Sequence, residues 1–172
     1  MSAPAMTALE DLRTAWEAVP AGTRRREVAW ALLRGLVGDV PIANPCPFCG
    51  GPHGPVQLPG SPWRASVSYA GDLAVVGVVP SAGVGAFGLD AEIATVACGL
   101  GVRAWTRVEA ALKADGRGIR VDPQTVVVTG DADGWSAVVP GPDAEPRVFR
   151  GRDAAAPAGV LISVALRELS HG

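Results

Sequence analysis

Lysine is almost missing from this 172-residue chain: Lys113 stands alone, and the other fourteen of its fifteen basic residues are arginines. Seventeen acidic residues offset them, giving net charge −2 and pI ≈ 5.6. That balance excludes a general affinity for polyanions, so nucleic acid is not an expected partner and any phosphate contact must be local. Cysteine is scarce as well. Cys46, Cys49 and Cys98 are too few and odd in number for a disulfide framework, which points to a reducing compartment. No uninterrupted apolar run reaches the ~18 to 20 residues of a membrane helix. The start of the chain also lacks the charged-then-apolar layout of a secretion signal, so no membrane contact and a cytoplasmic location are expected. What the chain does have is apolar material: 48% of residues are hydrophobic and mean hydropathy is +0.25, enough for the core of one ordinary domain.

Apolar spacing predicts two opening helices, over 7–19 (Leu9, Leu12, Trp16, Val19) and over 23–37 (Val28, Ala31, Leu32, Leu36), the second with Thr23 as N-cap. From Val40 to Pro62, proline and glycine break every period, predicting an ordered loop or lid that could wrap a ligand. Extended segments follow at 63–69, 73–79 and 84–93, the middle one a continuous apolar run suited to a central strand. Val102 to Ala114 reads as a helix ended by Gly116 and Gly118, with strands at 125–129, 135–139 and 159–166 beyond it. Helices, strands, helix, strands is an α+β order. One domain over 1–172 is expected, with halves near 1–83 and 84–172 that share a coarse strand-turn-strand rhythm. Trp16, Trp30 and Trp135 read as core aromatics, Trp105 as an anchor of its helix, and Arg147, Arg150 and Arg152 as a solvated face. His171, beside the chain end, is assigned no role.

Cys46-Pro-Phe-Cys49 followed by His53 places three soft or borderline ligands on one loop, in a C-x2-C-x3-H spacing. Zinc takes four, and nothing in the sequence brings Cys98 near, so the reading favours thiols packed as small hydrophobes over a bound zinc. A zinc-stabilised interaction module is the third-ranked function.

Asp90 and Glu92 stand two apart at the end of an extended segment, so both carboxylates face the same way. Glu109 on the next helix could complete a three-carboxylate set, the hard oxygen ligation suited to Mg2+. Lys113, one helical turn beyond Glu109, could hold that carboxylate or contact phosphate.

Read together, Gly88-Leu-Asp90-Ala-Glu92 and Trp105-Thr-Arg-Val-Glu109-Ala-Ala-Leu-Lys113, then Gly116-Arg-Gly118, resemble the two signature motifs of the 4'-phosphopantetheinyl transferases of the longer, surfactin type. Arg24, Arg25 and Arg26, the Cys46 to Gly54 segment and Ser66-Val-Ser68 fall in the family's order, and the resemblance spans about 23–166.

The resemblance implies a pseudo-twofold α+β fold of two similar halves with the active site between them. It implies transfer of the phosphopantetheine arm of coenzyme A to a serine of an acyl or peptidyl carrier protein in fatty-acid, polyketide or nonribosomal-peptide synthesis, releasing adenosine 3',5'-bisphosphate. Asp90, Glu92 and Glu109 would hold Mg2+, Glu109 would help deprotonate the serine, and Lys113 would face the diphosphate. An arginine among Arg24, Arg25 and Arg26 would take the 3'-phosphate, while His53, Ser68 and Tyr69 fall among the coenzyme A contacts. The chain also departs from the pattern. Pro55 and Val56 follow His53-Gly54 where the family has Lys-Pro, Tyr69 replaces a histidine, Val108 replaces a lysine, and the segment 93–104 is short. Those departures motivate the alternative reading, a catalytically degenerate homologue that binds a carrier protein or nucleotide without transfer.

Overall fold

The computed structural model describes residues 8–94, 101–143 and 145–169. Three antiparallel strands, β1 (Arg13–Ala18), β2 (Trp63–Ala70) and β3 (Leu73–Pro80), form one sheet in the order β1-β3-β2. The continuous apolar run is indeed its centre, because β3 is covered on both faces. Ala74, Val76 and Val78 pack beneath helix α1 (Arg25–Val37) with Val28, Ala29 and Leu33. The intervening Val75 and Val79 point the other way and meet a second sheet.

That second sheet has five antiparallel strands, in the order β4-β8-β7-β6-β5: β4 (Val84–Ile93), β5 (Val127–Gly130), β6 (Trp135–Val139), β7 (Arg147–Ala154) and β8 (Val160–Glu168). Phe87, Leu89, Ile162, Val164 and Leu166 face the smaller sheet. Helix α2 (Val102–Asp115) covers the opposite face through Val108, Ala111 and Leu112, against Trp135, Ala137 and Phe149. The fold is therefore mixed α+β, two antiparallel sheets face to face with a helix on each outer side. The strand counts of the sheets are three and five.

The sheets also meet along β2 and β4, where serine hydroxyls supply the hydrogen bonds. The Leu89 amide donates to Ser66 Oγ at 2.9 Å, and Ser68 Oγ donates to Asp90 Oδ1 at 2.9 Å. A strand edge carries unpaired backbone groups, and Ser66 satisfies one of them.

Three expectations need correction. Among the described residues of 7–19 only 8–10 are helical; Arg13–Ala18 is β1, paired residue by residue with Ala18 opposite Leu73 and Arg13 opposite Val78. The open edge of β3 offers these residues a full ladder, and that tertiary pairing overrides helical spacing. Trp16 consequently lies on the sheet at 36% exposure rather than in the core, whereas Trp135 is buried and Trp30 half-buried. The arginines 147, 150 and 152 belong to β7, a strand whose buried positions are only Phe149 and Gly151, too few to register as alternation. Of the three, Arg147 is not a solvated residue: it bonds the fully buried Asp115 carboxylate at 3.0 Å.

Candidate functional site

Gly88 sets the position of α2. A Cβ at this residue would lie 2.2 Å from the Ala110 carbonyl oxygen and 2.4 Å from the Ala114 amide nitrogen, so only glycine lets the helix rest on β4. The helix therefore carries Glu109 and Lys113 across Asp90. Lys113 Nζ donates to Asp90 Oδ1 at 2.7 Å and to Ser68 Oγ at 2.9 Å, closing a triangle with the Ser68 to Asp90 bond. Lys113 thus pairs with Asp90 and not with Glu109. Asp90 is 4% exposed, and its second oxygen, Oδ2, is buried without a hydrogen-bond partner.

Glu92 and Glu109 lie within the electrostatic reach of this pair. Burial pushes the Glu109 carboxyl above the ordinary range; the Asp90 and Glu92 charges push it further, against the pull of Lys113. Glu92 is likewise raised, first by burial and then by Asp90, with Trp105 and Lys113 opposing. Three carboxylates and one ammonium therefore share one region, with an excess of negative charge that a cation would relieve. The donors suit a hard divalent ion: all are carboxylate oxygens, and one of them is an orphan. They do not form a closed cage, since among the described residues the only three side chains whose ligand atoms all lie within 4.8 Å are Cys46, Cys49 and His53. Mg2+ tolerates such an open arrangement, because it keeps several waters in its shell.

Glu109 and Lys113 line a cleft of ≈ 1440 Å³, whereas Ser68, Asp90 and Glu92 are not among its lining residues. Arg26, His53 and Tyr69 line it too, so the structure brings five of the sequence-derived candidates to one cavity. Arg24 and Arg25 do not line it. Arg24 is largely exposed and 3.8 Å from Glu27, and Arg25 lies over the Tyr69 ring at 5.7 Å. Burial raises the Tyr69 phenol, so Tyr69 is a neutral donor at neutral pH. Arg26 is partly committed, donating to the Pro52 carbonyl at 2.6 Å, which ties α1 to the Pro/Gly-rich loop.

Sequence spacing gave no sign of two further arginines at the cleft wall, Arg64 and Arg120; Arg117, from the Gly116-Arg-Gly118 turn, lines it too. They come from β2 and from the turn after α2, distant stretches that only the fold unites. Arg107, inside the helix motif, is held by Asp153 at 2.9 and 3.1 Å and serves packing of α2 against β7. The loop thiols are not packed as small hydrophobes: Cys46 is half-buried, Cys49 exposed, and both line the cleft. Cys98, His171 and residues 95–100 of the short connecting segment lie outside the described residues.

No family model matches the chain, and no curated protein sequence matches it.

Proposed function

We propose that the protein transfers the phosphopantetheine arm of coenzyme A to a carrier-protein serine in a Mg2+-dependent reaction, as a divergent 4'-phosphopantetheinyl transferase. The single observation that carries this reading is that Glu109 and Lys113 line an arginine-bearing cleft, with Lys113 bonded to the buried Asp90 and Glu92 within electrostatic reach of both. Those are the residues of the two motifs on which the family resemblance rests, and the likeness of the two halves that the family implies belongs to the same proposal.

Asp90, Glu92 and Glu109 would hold the magnesium ion, which neutralises charge developing on the diphosphate. The chain's own residues do the rest. In the transfer the serine oxygen bonds to phosphorus, the phosphorus bond to the bridging oxygen breaks, and adenosine 3',5'-bisphosphate leaves. Glu109 takes the serine proton, a task favoured by a carboxyl held above its usual range. Lys113 holds and orients the Asp90 carboxylate. Arg26, Arg64 and Arg120 set a positive wall for the phosphates, replacing the basic groups absent at Pro55, Tyr69 and Val108.

The test is incubation with coenzyme A, Mg2+ and apo carrier proteins of the fatty-acid, polyketide and nonribosomal-peptide classes, read by intact mass. A gain of one phosphopantetheine on a carrier is expected; no gain on any carrier overturns transfer. A second reading, binding without transfer, has one observation in its favour: the Lys113 ammonium already occupies Asp90 Oδ1. Calorimetry separates the two, since Mg2+-dependent coenzyme A binding supports the transferase and carrier binding alone supports the second.

A further inference from the structure

We propose that Cys46, Cys49 and His53 form a zinc site whose fourth coordination position opens on the cleft. This inference is independent of the transferase reading. The three ligand atoms already lie within 4.8 Å of one another, and Cys49 Sγ sits 3.0 Å from His53 Nε2. Around a tetrahedral zinc with ordinary Zn–S and Zn–N lengths, ligand atoms stand roughly 3.5 to 3.8 Å apart. The Cys49–His53 contact therefore needs to open by only about half an ångström.

The loop is built to hold these atoms without zinc. The turn is closed by Cys46 N to Gly51 O at 2.8 Å and Gly50 N to Cys46 O at 2.9 Å. His53 N also reaches Gly51 O at 2.9 Å. Outside it, Ala43 and Gln57 exchange backbone bonds across the base of the loop, and the Pro52 carbonyl accepts from both Arg26 and Asn44. Gly51 is the close neighbour of the ligands. A Cβ there would stand 3.1 Å from the His53 ring and 3.4 Å from Cys49 Sγ, so a side chain would press on both.

Two thiolates and an imidazole match zinc by softness, whereas the carboxylates around Lys113 match magnesium. All three ligand residues line the cleft, so the position left open faces solvent there and takes a water or an anionic ligand atom. Binding releases the thiol protons, which makes affinity rise with pH.

The test uses the full chain purified under reducing conditions from zinc-supplemented medium, with metal counted by mass spectrometry, followed by chelation and titration with Co2+. One zinc per chain is expected, and the Co2+ form should show a near-ultraviolet thiolate-to-cobalt band with visible absorption of tetrahedral strength. Cys49→Ser should weaken Co2+ binding by more than the ~10- to 100-fold that loss of an outer hydrogen-bond partner costs. Gly51→Ala, which leaves every ligand in place, should weaken it measurably with the fold intact by circular dichroism. Substoichiometric zinc together with a Co2+ titration of the wild-type chain lacking the thiolate band overturns the proposal. So does metal retained undiminished in a folded Cys46→Ser/Cys49→Ser double variant, or a Cys46–Cys49 disulfide that persists under reductant.

Discussion

Lys113 and Asp90 belong to different elements, α2 and β4, and meet at 2.7 Å over a carboxylate that is almost wholly buried. An ion pair in this setting does two jobs. It compensates the desolvation of Asp90, and it fixes the carboxylate next to Glu92 and Glu109, whose charges Asp90 disturbs.

Breaking that pair should cost stability as well as any activity. Lys113→Met leaves Asp90 bonded to Ser68 alone, and Asp90→Ala leaves the ammonium without its carboxylate. Lys113 is one-third exposed, so the loss is smaller than for a fully buried pair, about 1 to 3 kcal/mol. Urea denaturation reads it; an unchanged midpoint in both variants would show that the pair adds nothing to the fold.

The acidic trio predicts an unusual dependence on pH. Glu92 and Glu109 are raised above their unfolded-state value of 4.5, so the stability they contribute is full below that value and is lost as pH rises through their folded-state values. Glu92→Gln/Glu109→Gln removes both titrations. The double variant should gain stability on the wild type above pH 4.5, with the difference closing in acid, as measured by thermal melts across pH.

Divalent ions act on the same imbalance. Mg2+ should raise the melting temperature of the wild type, since a ligand at 100 times its Kd stabilises by about 2.7 kcal/mol. Glu109→Gln should blunt that response. Equal shifts in both proteins would place the ion elsewhere.

Asp115 is predicted to behave in the opposite sense. Its carboxylate is fully buried against Arg117 at 2.6 Å and Arg147 at 3.0 Å, and these bonds hold it below its usual value of 3.8 despite burial. Its contribution is present above pH 3.8 and lost as pH falls through the lowered value. Asp115→Asn should cost about 1 to 3 kcal/mol at neutral pH, since Arg117 and Arg147 are both partly exposed, with the deficit shrinking in acid. Denaturant melts at neutral and acid pH check both parts.

How far the sequence could be read depends on whether each signal was local. The strands over 63–70, 73–80 and 84–93 were legible because their apolar runs and alternation are intrinsic to the segment, and α2 because its buried stripe ends at a glycine in left-handed geometry. Asp90, Glu109 and Lys113 could be grouped because two short motifs carry them. β1 was not legible, since its residues fit helical spacing and become a strand only by pairing with β3. The hydroxyl of Ser66 on the Leu89 amide and the cleft arginines Arg64 and Arg120 were equally hidden, because their partners are set by the packing of one sheet on the other. The cysteine loop was visible as a spacing, but its exposure and the closeness of Cys49 to His53 were not.

The bare backbone at Gly88 ties the chemistry to a single missing methyl group. The atoms it would strike belong to the helix main chain and cannot rotate aside, so even alanine here would lever α2 off its strand. Lys113 and Glu109 ride on the same rigid rod and would retreat from Asp90 together. One carbon atom that never touches a ligand would thereby dismantle the charge cluster in one stroke, leaving each of its acidic and basic members still present in the chain.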